Sequence, residues 1–76
     1  MRLYLGGYLD FYSDQPDNWV TVGLDEPTPL LQVVLNLGIP VGDIQLVVVN
    51  GQLGELNEVV VSEPDEVKIF SAVGGG

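Results

Sequence analysis

EPTPLLQVVLNLGIP, residues 26–40, decides the fold of this chain because it predicts a helix with strand-like segments on either side. Thr28 is a suitable N-cap, since its hydroxyl can accept a hydrogen bond from the free amides of a first helical turn. Pro29 suits the first helical position, where no backbone N–H is needed. Gly38 fits the position just after a helix end, where a left-handed backbone is common. We therefore predict a helix from about Pro29 to Leu37.

One side of this helix is apolar. Leu31, Val34 and Leu35 recur at i, i+3 and i+4, which places them on a single stripe. A helix of about nine residues cannot cover two sheets, so one sheet with the helix across one face is expected to bury both apolar surfaces. The expected core consists of Leu3, Leu5, Val20, Val22, Leu31, Val34, Leu35, Val48, Val67 and Ile69.

Five further segments have the alternating or β-branched patterns that are typical of strands. They are residues 2–9, 19–24, 45–50, 58–63 and 67–73. Asn50 followed by Gly51 marks a tight turn after the third of them. Gly6 and Gly7 indicate a bulge or a close backbone neighbour near the end of the first. The order β-β-α-β-β-β predicts an α+β domain of the β-grasp (ubiquitin-like) type, with one mixed sheet of four to five strands and one helix packed across a face.

Alternation also predicts which aromatic side chains lie on the sheet surface that the helix does not cover. If Val20 and Ile69 face the helix, Trp19 and Phe70 are partly exposed. Exposed aromatic residues indicate an interface, and the bland alternative is ordinary packing at a sheet edge. Packing is the preferred interpretation for Trp19, and both interpretations stay open for Phe70.

Charge restricts the class of partner. The chain has 76 residues, enough for one small domain, and 46% of them are hydrophobic. Eleven acidic residues face only Arg2 and Lys68, so the formal net charge is −9. This charge disfavours nucleic acid and anionic membranes as partners and favours a protein with a basic face.

We recognise neither a membrane-spanning run nor a signal peptide, and we expect a cytoplasmic protein.

Enzymatic activity is not expected. The chain has no cysteine and no histidine, which excludes thiolate nucleophiles, imidazole bases, thiolate zinc sites and disulfides. A serine paired with Lys68 remains as a nucleophile, but a lysine on a strand surface is the preferred interpretation. We therefore assign no catalytic residue.

The loop over residues 10–18 contains oxygen ligands of the kind that calcium prefers. These residues are Asp10, Asp14, Asp17 and Asn18. Their spacing does not match an EF-hand, and the same residue types form turns. We therefore favour a solvated loop and predict no metal site.

Three segments of the chain resemble the ubiquitin-like sulfur carriers of the MoaD/ThiS family. They are LGIP at residues 37–40, VVVNG at 47–51 and PDEVKIFSAVGGG at 64–76. The last is similar to the family ending Asp-x-Val-x-x-Phe followed by Val-x-Gly-Gly. Members of the molybdopterin branch often have proline where Ser71 and Ala72 stand here, while the long loop at 10–18 is closer to that branch than to the thiamine branch.

The resemblance implies a domain over residues 1–73 and a flexible tail over 74–76, whose function depends on the terminal carboxylate. An adenylating enzyme of the ubiquitin-activating type would activate Gly76, with Gly74 and Gly75 threading its channel. A sulfur donor would then form a thiocarboxylate for an acceptor such as the molybdopterin synthase large subunit or thiazole synthase. Phe70 and Val73 would contact these partners. The chain itself would bind no cofactor, because ATP and Mg²⁺ belong to the activating enzyme.

Molybdopterin cofactor biosynthesis is the preferred pathway for such a carrier. The thiamine-thiazole pathway is an alternative with the same chemistry at the tail. A ubiquitin-like protein modifier, joined through Gly76 to lysines of other proteins, is a second alternative. A third is a β-grasp interaction module that is not a carrier.

Overall fold

The computed structural model describes residues 1–72 of the chain. This part contains an α-helix, Leu30–Asn36 (α1), and two 3-10 helices, Gly7–Tyr12 and Val41–Asp43. The strands are Arg2–Gly6 (β1), Trp19–Thr21 (β2), Thr28–Pro29 (β3), Ile44–Val49 (β4), Gln52–Gly54 (β5), Val60–Val61 (β6) and Glu66–Ser71 (β7).

A mixed five-stranded sheet forms the larger layer of the fold. Its strand order is β2-β1-β7-β4-β5. β1 and β7 are parallel at its centre, and the other neighbouring pairs are antiparallel. The predicted α+β class, with five strands in a mixed sheet and one α-helix, is confirmed for the described part. The sequence did not predict the separate two-stranded sheet that β3 and β6 form beside the helix.

β1 ends earlier than predicted, at Gly6. Gly7 has a φ of +63°, and this left-handed turn leads into the 3-10 helix Gly7–Tyr12. Leu9, which the pattern assigned to the strand, is buried from this helix instead. The loop predicted over residues 10–18 is therefore helical at its start.

The remaining strands differ from the predictions in their bounds. β2 and β6 are shorter than predicted, and β4 and β7 each begin one residue earlier. The sequence does not predict β5, because QLG contains a single large apolar residue. The turn at Asn50 and Gly51 is confirmed by their φ angles of 50° and 84°. Val73, the predicted end of the last strand, lies outside the described residues.

The helix begins and ends close to its predicted limits, but its predicted cap is wrong. Thr28 lies in β3, and its hydroxyl donates a hydrogen bond to the Glu26 carbonyl at 2.9 Å instead of capping α1. The first helical residue is tied to the small sheet, because the Leu30 amide donates to the Val59 carbonyl at 2.9 Å. Gly38 has a φ of +78°, which confirms its predicted role at the helix end.

The predicted helix face is displaced by one residue. α1 buries Leu30, Val33 and Val34, which also follow the i, i+3, i+4 pattern. Leu35 is 54% exposed, so its assignment to the core is wrong. Leu31 is half-buried. The Leu30 amide bonds to Val59, which directly precedes β6, and this places Leu30 at the edge of the core.

Half of the ten residues that were predicted for the core are buried in the structure: Leu3, Leu5, Val34, Val67 and Ile69. Val20 and Val22 are half-buried and pack against it. Val48 is not part of the core, because β4 turns Val47 inward and strand alternation places Val48 on the other side. Sequence patterns missed Met1, Leu9, Leu30, Val33, Ile39, Val47 and Val61.

Over residues 1–72, no helix has the length and apolar character that a membrane crossing requires.

Candidate functional site: the open face of the sheet

One face of the five-stranded sheet packs on the core, and its opposite side lacks a covering helix among the described residues. Leu3 and Leu5 of β1 point into the core, so strand alternation directs Tyr4 to the other side. The same rule directs Phe70 of β7 away from buried Ile69. We call this side the open face and define it by Arg2, Tyr4, Trp19, Leu46, Lys68 and Phe70.

The strand register brings the residues of the open face together. Tyr4 lies opposite Trp19 of β2 and opposite Lys68 of β7. Phe70 lies opposite Leu46 of β4. Directly opposed side chains on one sheet face are close enough to contact each other. Residues from four strands therefore form one continuous surface.

Three aromatic rings form the centre of the open face. The ring centroids of Tyr4 and Trp19 are 5.2 Å apart, and those of Tyr4 and Phe70 are 6.0 Å apart, both with tilted planes. All three side chains are half-buried, which confirms that Trp19 and Phe70 are partly exposed. Tilted aromatic pairs at these distances are mutually attractive. The cluster is thus a preformed apolar surface that a partner can cover with little loss of side-chain freedom.

Both basic side chains of the sequence lie on the open face. The Arg2 guanidinium is 4.2 Å from the centroid of the Trp19 ring, a cation–π geometry. It also forms an exposed ion pair with Glu66 at 3.5 Å. Lys68 is exposed between Tyr4 and β4. Glu66 alternates with buried Val67 in the same way as Lys68, so it lies on the same side, and the strands contribute two basic residues and one acidic residue to the open face.

Gly6 sets the position of the Phe70 ring. A Cβ atom on Gly6 would lie 2.6 Å from Phe70 Cε1 and closer still to Cδ1. Real Cβ atoms essentially never approach another heavy atom so closely, so any side chain here would displace the ring. The pattern predicted a bulge or a close backbone neighbour, whereas the close neighbour of Gly6 is the side chain of a residue of the candidate site.

The end of β7 is also held in place by a hydrogen bond to Ser71, its last residue. The Tyr8 amide donates a hydrogen bond to Ser71 Oγ at 2.7 Å, and Ser71 is buried. Gly7, with its positive φ, leaves the space that the hydroxyl occupies. Ser71 therefore joins the first 3-10 helix to the last strand, immediately before the chain leaves the sheet at Ala72.

Asp65 connects the turn before β7 to the turn after β4. Its carboxylate accepts hydrogen bonds from Asn50 Nδ2 at 3.0 Å and from the Ser62 amide at 2.7 Å. The hydrogen bond from Asn50, followed by the one from Ser62, lowers the pKa of Asp65 from its ordinary value of 3.8. Asn50 Oδ1 in turn accepts from the Glu66 amide at 2.9 Å. This network fixes β4 relative to β7 and so supports the open face.

Two alternative sites were considered from the sequence, a serine paired with Lys68 and a calcium loop over residues 10–18. Ser71 lies on the core side of β7 and Lys68 on the open face, so these two residues do not form such a pair. Asp17 accepts a hydrogen bond from the Trp19 amide at 3.1 Å, as a turn-forming residue does. Within the described residues, no group of three or more acidic side chains could hold a metal ion.

The predicted site residues are divided between the described part and the rest of the chain. Phe70 is in the open face, whereas Val73, Gly74, Gly75 and Gly76 lie outside the described residues. Tyr4 and Leu46 complete the surface, and neither was singled out from the sequence. Alternation alone could have placed Tyr4 there, but the neighbour relation to Leu46 depends on the pairing of distant strands.

Comparison with known proteins gives this chain no family. No family model, curated protein or solved structure matches it.

Proposed function

We propose that the chain is a β-grasp, ubiquitin-like sulfur carrier, with molybdopterin cofactor biosynthesis as its pathway. The mixed sheet, with parallel β1 and β7 at its centre and α1 across one face, supports the β-grasp part of the proposal. In this role the chain is a substrate of partner enzymes and has no catalytic residue of its own.

The observation that carries the proposal is the position of β7. This strand is central, it contributes Phe70 and Lys68 to the open face, and it ends at Ser71. Four residues beyond Ala72 span at most roughly 14 Å when extended. A partner that binds the open face therefore holds Gly76 within about that distance of the sheet, which restricts where its own active site can lie.

Glycine suits such an end for a physical reason. A reacting carboxylate at Gly76 has to pass through a channel narrow enough to exclude water, and glycine has no Cβ to collide with the channel walls. In the first step a carboxylate oxygen attacks the α-phosphorus of ATP, and pyrophosphate leaves. Hydrosulfide released by a sulfur donor then attacks the acyl carbon and AMP leaves, and loss of the S–H proton gives the thiocarboxylate.

Electrostatics supports recognition by a basic partner. The net charge of −9 attracts a basic protein from a distance and speeds its encounter. The aromatic rings of Tyr4, Trp19 and Phe70 then provide the apolar contact that carries most of the binding energy in a typical interface. Charge thus raises the association rate, and the aromatic cluster lengthens the lifetime of the complex.

The open face also favours one function of another class. A sheet surface with three clustered aromatic rings can bind a partner without any use of the tail. A β-grasp interaction module is therefore the second candidate. It differs from the carrier in a single requirement, since the carrier needs Gly75 and Gly76 and the module does not.

The experiment that separates them is ATP–pyrophosphate exchange with candidate activating enzymes, using protein that ends at Gly76. Deleting Gly75 and Gly76 should abolish exchange, because misplacing a reacting group by even about 1 Å can cost on the order of 10²-fold in rate. The melting temperature should stay nearly unchanged, since the core residues all precede Ala72.

Gly75→Ala is the matched variant, because it keeps the length of the tail and adds only a Cβ. We expect it to reduce exchange less than the deletion does. Intact-mass measurement after addition of a sulfur donor should show one oxygen replaced by sulfur. If the truncated protein supports exchange at the wild-type rate, the carrier proposal is wrong and the interaction module remains.

A further inference from the structure

A groove of about 610 Å³ lies where the chain leaves the sheet, on a different side from the aromatic cluster of the open face. Its walls come from the first 3-10 helix, from the second 3-10 helix and from the end of β7. This volume is in the range of pockets that bind small molecules. We call it the aromatic groove and define it by Tyr8, Asp10, Phe11, Tyr12, Asp43 and Ala72.

Aromatic side chains on its rim are unusually exposed. Tyr8 is 67% and Phe11 is 82% exposed. The rings of Phe11 and Tyr12 meet edge-on, with centroids 5.2 Å apart. The hydrogen bond from the Tyr8 amide to Ser71 Oγ holds the helix that carries them against β7. Exposed aromatic residues gathered in this way indicate a binding surface.

The charges of the aromatic groove are all of one sign. Asp10 and Asp43 line it, and both are exposed. Arg2 and Lys68 are on the open face. Within the described part, the two ion pairs join Glu63 to the amino group of Met1 and Glu66 to Arg2, so neither reaches the groove. Carboxylates beside aromatic rings suit a ligand that is both cationic and flat.

We propose that the aromatic groove binds an arginine side chain presented by a partner protein. A guanidinium is planar, stacks on aromatic rings and donates paired hydrogen bonds to a carboxylate, whereas the ammonium of lysine is a strongly hydrated point charge. The acidic surface around the groove attracts a basic protein and repels the phosphates of nucleic acid. This inference goes beyond the carrier role, since it depends on no residue after Ala72.

An NMR titration of the ¹⁵N-labelled full chain tests the proposal directly. The probe is the peptide N-acetyl-Leu-Arg-Leu-amide, and its control has citrulline, which is neutral and nearly isosteric, in place of arginine. Amide shifts should concentrate in the helix Gly7–Tyr12 and around Asp43. The citrulline peptide should bind about tenfold more weakly.

Variants of the groove provide a second measurement. Phe11→Ala and Asp43→Asn should each weaken binding of the arginine peptide several-fold. Leu35→Ala removes an exposed apolar side chain elsewhere, and Asp25→Asn removes an exposed acid outside the groove, so both should leave binding unchanged. Equal effects of the groove variants and these controls would overturn the proposal.

Three other outcomes would also overturn it. Equal affinity for the citrulline peptide would show that no cation is recognised. Tighter binding of at least tenfold after deletion of residues 73–76 would make the chain's own tail the occupant. Shifts of the groove amides on dilution of the protein alone would make a second copy the occupant. Because the titration uses neither ATP nor an activating enzyme, failure of the carrier proposal would leave its result unaffected.

Discussion

Replacing Gly6 by alanine is expected to move the Phe70 ring without removing it. A Cβ at this position would lie 2.6 Å from Phe70 Cε1, whereas ordinary contact begins at 3.4 Å. The ring therefore has to retreat by the difference, about 0.8 Å, or by more at Cδ1. Since β1 and β7 are paired at Gly6 and Phe70, the backbone cannot separate to make room without breaking the centre of the sheet.

The energetic cost follows from overpacking. Inserting a methyl group into a well-packed site typically costs about 1–3 kcal/mol. Phe70 is half-buried and can yield toward solvent, so we expect about 1.5 kcal/mol. In a domain of this size, that corresponds to a fall in melting temperature of roughly 6–12 °C.

A double-mutant cycle identifies the ring as the cause. Denaturant unfolding is measured for the wild type, Gly6→Ala, Phe70→Ala and the double variant. With Phe70 truncated, the new methyl group has space, so the cost of Gly6→Ala should nearly vanish and the coupling should be about 1.5 kcal/mol. Gly23→Ala is the control, because a Cβ there has no heavy atom within 4 Å among the described residues.

Additive effects in the cycle would refute this reasoning. If Gly6→Ala costs the same with and without the Phe70 ring, the cost comes from the backbone of β1. Gly6 would then not determine where the candidate docking residue lies.

Two further predictions concern the core and the turn network. Leu30→Ala should lower the free energy of unfolding by about 2–5 kcal/mol because the side chain is fully buried. Leu35→Ala should change it by less than about 0.5 kcal/mol, and equal effects in denaturant unfolding would contradict the helix face described here. The lowered pKa of Asp65 means that its contribution is complete above its ordinary value of 3.8 and is lost as the pH falls through the lower folded value. Thermal melting should therefore separate Asp65→Ala from the wild type at about pH 7, the separation should shrink as the pH falls below 3.8, and a difference independent of pH would contradict this assignment.

Local patterns predicted the kinds of elements well, but for α1 and β4 they did not predict which side is buried. LLQVVL at residues 30–35 contains two stripes with the same spacing, one starting at Leu30 and one at Leu31. Periodicity cannot choose between them. The choice is made by tertiary packing, in which Leu30, Val33 and Val34 join the core formed with distant strands.

β4 poses the same problem for a strand. Three consecutive valines, Val47 to Val49, give no alternation from which to read the inward face. An irregularity between Ile44 and Leu46 in the pairing with β7 shifts the register, and Val47 then lies opposite Ile69 in the core. A one-residue shift exchanges the two faces of a strand, so this outcome depends on a partner strand that local patterns do not specify.

The candidate site was predictable to the extent that it depends on alternation within single strands. VKIF at residues 67–70 alternates clearly, and Phe70 was placed on the correct face. The contact between Tyr4 and Trp19 requires the register of β1 with β2. The aromatic groove was missed because the left-handed turn at Gly7 converts the expected strand end and loop into a 3-10 helix.

The central place of β7 has a consequence for how the chain folds during synthesis. Arg2 and Glu66 are paired although 64 positions separate them, and closing so long a loop slows folding. The strands β1 and β4 both pair with β7. Each of them therefore presents an unpaired edge until β7 has left the ribosome. Such edges invite association with other nascent chains. Folding of β1 and β4 against β7 therefore competes with such association until the chain has emerged from the ribosome as far as Ser71.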